Sequence, residues 1–188
     1  MKTPWLTMAL ASIAGLLHLL PEAIRSSLYF DKAQLAQGNP LGLFTGHWLH
    51  GDGEHLLWNV AGLLVLGGLI EQFSRRHLAV GLVAGTLAVN MLLLAPWLEL
   101  QRYCGLSGVL NTLLVIALLH LWHTSRSLVI PLIGLLSLGK IFIEMQAGVA
   151  LFTHTAWPPF AAAHLAGVIG GGIVLWWAGS QKHAPSSA

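Results

Sequence analysis

The chain has 188 residues, of which 55% are hydrophobic and only 9% are charged, and its formal net charge is +2. Soluble domains carry about 25% charged residues, so this composition excludes an ordinary soluble protein and indicates one embedded in a lipid bilayer. The few basic residues form no patch or stripe, which argues against a nucleic-acid partner, and the single Cys104 excludes an internal disulfide.

Six apolar segments have close to the roughly 17–25 residues that an α-helix needs to cross the bilayer. They run over residues 5–20, 55–73, 77–97, 106–122, 128–145 and 161–177. An isolated span must satisfy its own backbone hydrogen bonds, so all six are predicted to be helical. We therefore predict an all-α fold, a single six-helix transmembrane domain over residues 1–188, with a disordered tail at 179–188. The first segment resembles a secretory signal, but no clean cleavage site precedes Pro21, and we expect it to be retained.

The basic residues predict which side of the membrane each loop occupies. Five of them collect on one side, and three, diluted by acidic residues, collect on the other. Cytoplasmic loops carry an excess of Lys and Arg, so both termini are predicted to be cytoplasmic and the first, third and fifth loops to face outward. The five on the cytoplasmic side are Lys2, Arg75, Arg76, Arg126 and Lys182.

The fifth segment carries two opposite charges, Lys140 and Glu144, within its apolar sequence. They are four residues apart and therefore share one helical face. Because charges are costly in hydrocarbon, the simplest interpretation is a self-neutralising pair turned toward protein rather than lipid.

Polar side chains of a catalytic type occur at the outer starts of the even-numbered spans. His55 and Asn59 begin the second span, Ser107 the fourth and His164 the sixth. Because these helices all begin on the outer side, the four groups share one depth in the membrane. Polar groups at such positions call for a functional explanation.

Ser107 and His164 can supply a nucleophile and a base. A serine hydroxyl is a poor nucleophile until a base takes its proton, and histidine is the usual base. His164, Gly167 and Gly171 share one helical face, so this helix could pack closely on the one that carries Ser107. No Asp or Glu lies at a matching depth in spans two, four or six, so the sequence predicts a dyad rather than a triad.

Acyl transfer also requires hydrogen-bond donors for the developing oxyanion. His55 and Asn59 share a helical face, and both side chains can donate. The backbone N–H groups around Leu106 and Ser107 are free at a helix start, and Gly105 permits a tight turn into that helix. These residues are the predicted oxyanion and substrate-binding set.

Three other interpretations stay open from the residues alone. The chain has ten histidines, and His47, His50 and His55, with His154 from the fifth loop, could ligate a metal or haem. Cys104 could be the nucleophile, although it precedes the helix start. The protein could also be a catalytically inactive relative of an enzyme that serves as a binding or chaperone module.

Taken together, the motifs resemble the rhomboid family of intramembrane serine proteases. His55 and Asn59 match the family's H-x-x-x-N motif, residues 105–108 match G-x-S-G, and His164 with its downstream glycines matches the histidine motif. The resemblance implies Ser107 as nucleophile, His164 as general base, and His55 with Asn59 at the oxyanion hole. It implies no cofactor and no metal.

Residues 43–50, LFTGHWLH, and the short chain are most similar to the rhombosortase branch. That likeness implies a bacterial inner-membrane enzyme with its active site open to the periplasm. Its substrate would be an exported protein whose C-terminal transmembrane anchor carries a Gly-Gly motif and a basic tail, with the acyl group transferred to water or to an amine. Two positions depart from the family: residues 39–42 replace the usual Trp-Arg pair of the first loop, and Asn111 stands where Tyr or His is frequent. We expect Asn111 to orient His164 by a hydrogen bond.

Overall fold

The computed structural model describes residues 2–155 and 157–181 and is almost entirely helical. The α-helices of this described part are α1 (Trp5–His18), α2 (Glu22–Leu28), α3 (Lys32–Ala36), α4 (Gly42–Thr45), α5 (Gly53–Phe73), α6 (Arg75–Leu93), α7 (Ser107–Ser125), α8 (Val129–Ala147) and α9 (Ala161–Gln181). A 3-10 turn at Gly46–Trp48 and two short strands, β1 (Phe30–Asp31) and β2 (Arg102–Tyr103), complete it. The predicted all-helical class is confirmed.

Within the described residues, four helices, α5 to α8, are long and apolar enough to cross a membrane. The first of the six predicted spans corresponds to the shorter apolar helix α1, Trp5–His18, and the last to the apolar part of α9, Ala161–Trp177. Helix α9 ends at Gln181, inside the segment 179–188 that was predicted to be disordered. Residues 182–188 of that segment lie outside the described residues.

A buried carboxylate fixes the start of α1 against the end of α5. Glu71 accepts hydrogen bonds from the backbone N–H groups of Leu6 (3.1 Å) and Thr7 (2.8 Å) and from the Thr7 hydroxyl (2.9 Å). The first N–H groups of a helix have no acceptor within it, and Pro4 at the N-cap makes no side-chain cap. Glu71 therefore supplies from α5 the cap that α1 lacks.

The first loop is structured and leads directly to the segment before Ser107. Strand β1 pairs antiparallel with β2, with Phe30 opposite Tyr103. The backbone N–H of Gly105 donates to the carbonyl oxygen of Gly46 (3.0 Å). The turn that precedes Ser107 therefore rests on the first loop.

Asn90 on α6 ties the first loop to the bundle. Its Nδ2 donates to the carbonyl oxygen of Leu43 (2.8 Å), and its Oδ1 lies 2.9 Å from Nε2 of the buried His47. The family's usual Trp-Arg pair is absent from this loop, and these contacts hold the loop in place.

Helix α7 lies at the centre of the bundle, in contact with α5, α6, α8 and α9. Its side chains Val109 and Leu113 are fully buried and form a core with Leu63 of α5 and Leu78 of α6. The residue at the start of α7 is thus surrounded by the other long helices.

Candidate active site

Ser107 is the first residue of α7, and a tight turn at Gly105 leads into this helix. Gly105 has φ +118°, a conformation that side chains disfavour, and a Cβ at this position would lie 2.6 Å from the ring of His55. Glycine is therefore required twice over, for the turn and for the close approach of His55. The turn leaves the first N–H groups of α7 without acceptors inside the helix.

Helices α7 and α9 pack almost backbone to backbone. A Cβ on Gly167 would lie 1.8 Å from the carbonyl oxygen of Gly108, and one on Gly171 would lie 2.7 Å from Cβ of Val115. The hydroxyl of Thr112 donates across this contact to the carbonyl oxygen of Gly167 (2.6 Å). The close packing expected from the glycine face is present, and it carries His164 to the start of α7.

As a result, Nε2 of His164 lies 2.9 Å from Oγ of Ser107. When a neutral imidazole accepts the serine proton at Nε2, its own hydrogen is on Nδ1. Both side chains are partly exposed. This is the geometry in which a histidine can take a proton from a serine hydroxyl as that hydroxyl attacks.

A third polar side chain, Glu144 of α8, lies on the far side of the imidazole. Its Oε2 is 3.7 Å from Nδ1 of His164, and its Oε1 accepts from Nζ of Lys140 (2.7 Å). The predicted ion pair within span five is confirmed, and Glu144 is buried against protein. The sequence prediction of a dyad considered acids only in spans two, four and six, and it did not consider Glu144 near the end of span five.

His55 and Asn59 of α5 flank the other side of the serine. Asn59 is 3% exposed, and its Nδ2 donates to the backbone carbonyl of His55 (2.8 Å). Among the described residues, Oδ1 of Asn59 and Nδ1 of His55 have no hydrogen-bond partner. The His55 ring packs edge-on against His50, with ring centroids 5.1 Å apart.

These side chains line one cavity of about 710 Å³. Its walls come from α5, α7, α8 and α9, from residues 100 and 102–104 of the third loop, and from the fifth loop, residues 148–155 and 157–160. The fifth loop is held by Trp157, whose ring packs edge-on against Tyr29 at 5.0 Å between centroids, and by Glu54, which accepts from the backbone N–H of His154 (3.2 Å). The cavity can therefore admit a peptide segment next to Ser107.

Comparison with known families gives a match to the rhomboid domain over residues 37–181, a range that includes His55, Ser107 and His164. The chain belongs to the rhomboid family. Members of this family are generally intramembrane serine proteases, and the four apolar helices fit an integral membrane protein with a bilayer around it. No curated protein matches the chain. The comparison does not distinguish the rhombosortase branch from other rhomboids.

Asn111 also lines the rhomboid cavity, one turn after Ser107. Its Nδ2 donates to the backbone carbonyl of Ser107 (2.9 Å). The amide hydrogen bond found in the described structure thus goes to the helix that carries Ser107. The expected orienting of His164 by Asn111 stays a prediction.

The rival nucleophile in this rhomboid protein, Cys104, is buried beside the first loop. Burial raises the pKa of its thiol to about 12, so it is uncharged near neutral pH and a weak nucleophile. Burial also lowers the pKa of His50 to about 3, which keeps that ring neutral. In the described ranges, no group of three or more His, Cys, Asp and Glu side chains could hold a metal ion.

Proposed function

We propose that this rhomboid protein is an intramembrane serine endopeptidase in which Ser107 is the nucleophile and His164 the general base. The single observation that carries the proposal is the 2.9 Å separation of Oγ of Ser107 and Nε2 of His164. Family membership supports the same reaction class. The G-x-S-G, histidine and H-x-x-x-N motifs all fall inside the matched range.

In the proposed reaction, Oγ of Ser107 attacks the carbonyl carbon of a substrate peptide bond while His164 takes its proton at Nε2. The tetrahedral intermediate collapses as His164 returns that proton to the leaving amine, which leaves an acyl-enzyme ester on Ser107. Water or an amine then attacks the ester and loses its proton to His164. The ester bond to Oγ breaks as His164 returns that proton to Ser107, which releases the product and restores the enzyme. Atoms and electrons balance in each step, and no cofactor is needed.

The oxyanion is proposed to receive hydrogen bonds from His55, from Asn59 and from the N–H groups of Leu106 and Ser107, which follow the turn at Gly105. Two observations support this set. Nδ1 of His55 is buried without a partner among the described residues, Nδ2 of Asn59 carries a second hydrogen besides the one it donates to the His55 carbonyl, and both side chains line the cavity that holds Ser107. A helix start also presents N–H groups and a positive dipole end, which favour an anion.

The proposed substrate is an exported protein with a C-terminal transmembrane anchor that carries a Gly-Gly motif. Residues 43–50, the segment similar to rhombosortases, include Gly46, whose carbonyl supports the turn before Ser107. Through that contact, this segment supports the turn that leads to Ser107. A pair of glycines would unwind from a helix more readily than larger residues, because glycine disfavours the helical state by about 1 kcal/mol relative to alanine.

We further propose one six-span domain over residues 1–188 in a bacterial inner membrane, with both termini in the cytoplasm and the active site open to the periplasm. The starts of α5, α7 and α9, the end of α8 and the third and fifth loops gather around one cavity. The basic pair Arg75 and Arg76 lies between the end of α5 and the body of α6, on the opposite side of the bundle. Basic residues favour the cytoplasmic side, which supports this orientation.

Labelling with a fluorophosphonate probe in detergent tests the proposal. Wild type should be labelled on Ser107, and Ser107→Ala and His164→Ala should not be labelled, although all three proteins should unfold at similar temperatures. Ser125→Ala is a matched control, because Ser125 lies at the opposite end of the same helix and should leave labelling unchanged. Well-folded wild type without labelling would instead support a non-catalytic binding or chaperone role.

A reporter with a Gly-Gly motif, one transmembrane span and a basic tail tests the substrate. We expect cleavage next to Gly-Gly and none when that pair is replaced by Leu-Leu. Mass spectrometry of the new C-terminus distinguishes the acceptors, because water leaves a free carboxylate and an amine leaves an amide. Cleavage that ignores the Gly-Gly pair would remove the proposed specificity but would leave the protease assignment in place.

A further inference from the structure

We propose that Glu144 is a positioning residue that completes a Ser107–His164–Glu144 triad across α7, α9 and α8. The inference rests on the proposed function, because it assigns Glu144 a task in the same proton transfer. Glu144 acts through the imidazole and does not contact the substrate bond.

The two carboxylate oxygens of Glu144 have different surroundings. Oε1 accepts from Nζ of Lys140 (2.7 Å) and from the backbone N–H of Leu151 (3.0 Å). Oε2 is buried, has no hydrogen-bond partner among the described residues, and lies 3.7 Å from Nδ1 of His164. One oxygen is therefore tethered, and the other is left facing the histidine.

This arrangement suits the protonation state that catalysis needs. With Nε2 of His164 accepting from Ser107, the ring hydrogen sits on Nδ1 and requires an acceptor. Oε2 of Glu144 lies on that side of the ring and can hold the ring in this tautomer and orientation. When the serine is deprotonated, the same carboxylate faces the positive imidazolium and stabilises it.

The separation of 3.7 Å is longer than a hydrogen bond and closes with a shift of roughly 1 Å. Catalytic hydrogen bonds are often long without substrate and shorten in the complex. Leu151, which donates to Glu144, belongs to the fifth loop that lines the cavity next to it. A substrate that displaced this loop on binding would therefore also displace the Glu144 carboxylate.

Lys140 explains how an acid can be present in an apolar span. The Glu144 side chain is 1% exposed, and an isolated buried carboxylate is strongly unfavourable. The ion pair with Lys140, whose side chain is 36% exposed, offsets that penalty while occupying only Oε1. The pair occupies Oε1 and leaves Oε2 available.

A purely structural role for Glu144 would be to fasten the fifth loop through Leu151. Glu54 provides a matched control for that role, because it also accepts a backbone N–H from the fifth loop, that of His154 (3.2 Å). Glu54→Gln and Glu144→Gln remove the same charge from two carboxylates that hold the same loop. Only Glu144 lies beside His164.

The experiment measures kcat and KM on the anchored reporter for wild type, Glu144→Gln, Glu144→Asp and Glu54→Gln, with thermal unfolding of each. We expect Glu144→Gln to lower kcat roughly 10-fold to 100-fold, the effect of losing one charge-assisted hydrogen bond, with KM nearly unchanged. Glu144→Asp restores the charge and should recover part of kcat relative to Gln. Glu54→Gln should retain the wild-type kcat.

Three results would overturn the inference. They are a wild-type kcat for Glu144→Gln, an equal loss of kcat in the two Gln variants, and a kcat for Glu144→Asp no higher than for Glu144→Gln. The Ser107→Ala and His164→Ala proteins separate this failure from failure of the proposed function. If they lose cleavage while Glu144→Gln keeps it, only the triad is wrong, and if they cleave like wild type, both proposals are wrong.

Discussion

Replacing Gly167 with alanine tests how the packing of α7 on α9 positions the candidate catalytic pair. A Cβ at this position would lie 1.8 Å from the carbonyl oxygen of Gly108, which is backbone and cannot swing away. Carbon and oxygen in van der Waals contact are separated by roughly 3.3 Å, so the two helices would have to separate by about 1.5 Å.

That separation acts one helical turn from the pair formed by Ser107 and His164. Because their reacting atoms are 2.9 Å apart, a shift of this size takes them beyond hydrogen-bond distance. A misplacement of about 1 Å can lower a rate about 10²-fold, and we expect a loss of that order in fluorophosphonate labelling. Overpacking should also lower the free energy of unfolding by about 1–3 kcal/mol.

Gly172→Ala is the matched control for Gly167→Ala. Gly172 is on the same helix and exposed, and a Cβ there would meet no atom within 4 Å. We expect wild-type labelling and, because alanine favours a helix over glycine, a gain in stability of up to about 1 kcal/mol. The assay is the labelling rate in detergent beside the unfolding temperature of each protein. Labelling of Gly167→Ala at the wild-type rate would refute the reasoning.

Three further predictions concern single side chains. Asn59→Ala should slow reporter cleavage by roughly 10²-fold to 10³-fold if its amide is a sole oxyanion donor, and an unchanged kcat would remove it from the oxyanion hole. Burial raises the pKa of Cys104 to about 12. A maleimide should therefore react slowly with this thiol in the folded protein near neutral pH and rapidly once the protein is unfolded. Fast reaction in the folded state would show an accessible thiol. Glu71→Gln should lower the free energy of unfolding by about 1–3 kcal/mol, since one amide oxygen cannot accept all the bonds from Leu6 and Thr7; an unchanged unfolding temperature would mean that this cap contributes little.

The residues of the candidate site could be found from the sequence because their signals are local. His55, Ser107 and His164 each stand at a helix start, and the direction of each helix follows from counting apolar segments and basic loops. The glycine face of α9 likewise follows from helical periodicity, and the structure shows the close contact of Gly167 with Gly108.

Glu144 could not be assigned in this way. The sequence around Glu144 shows only that this acid can pair with Lys140 on one face of an apolar helix. Whether that face meets lipid, α7 or His164 depends on how α8 is rotated and where α9 lies beside it. Glu144 nevertheless lies near the end of an odd-numbered span, and a search for acids that included such ends would have found it.

By itself, the sequence determined the membrane class and the helical fold, and it predicted that Ser107, His164, His55 and Asn59 lie at helix starts. These properties depend on composition, on helix length and on periodicity, all of which act within a few turns of one segment. Tertiary structure alone decided that Oε2 of Glu144 faces His164, that Gly105 lies against the His55 ring, and that the first loop supports the turn before Ser107. Each of these contacts joins segments far apart in the chain, and their positions are set by how the whole bundle packs rather than by any one helix.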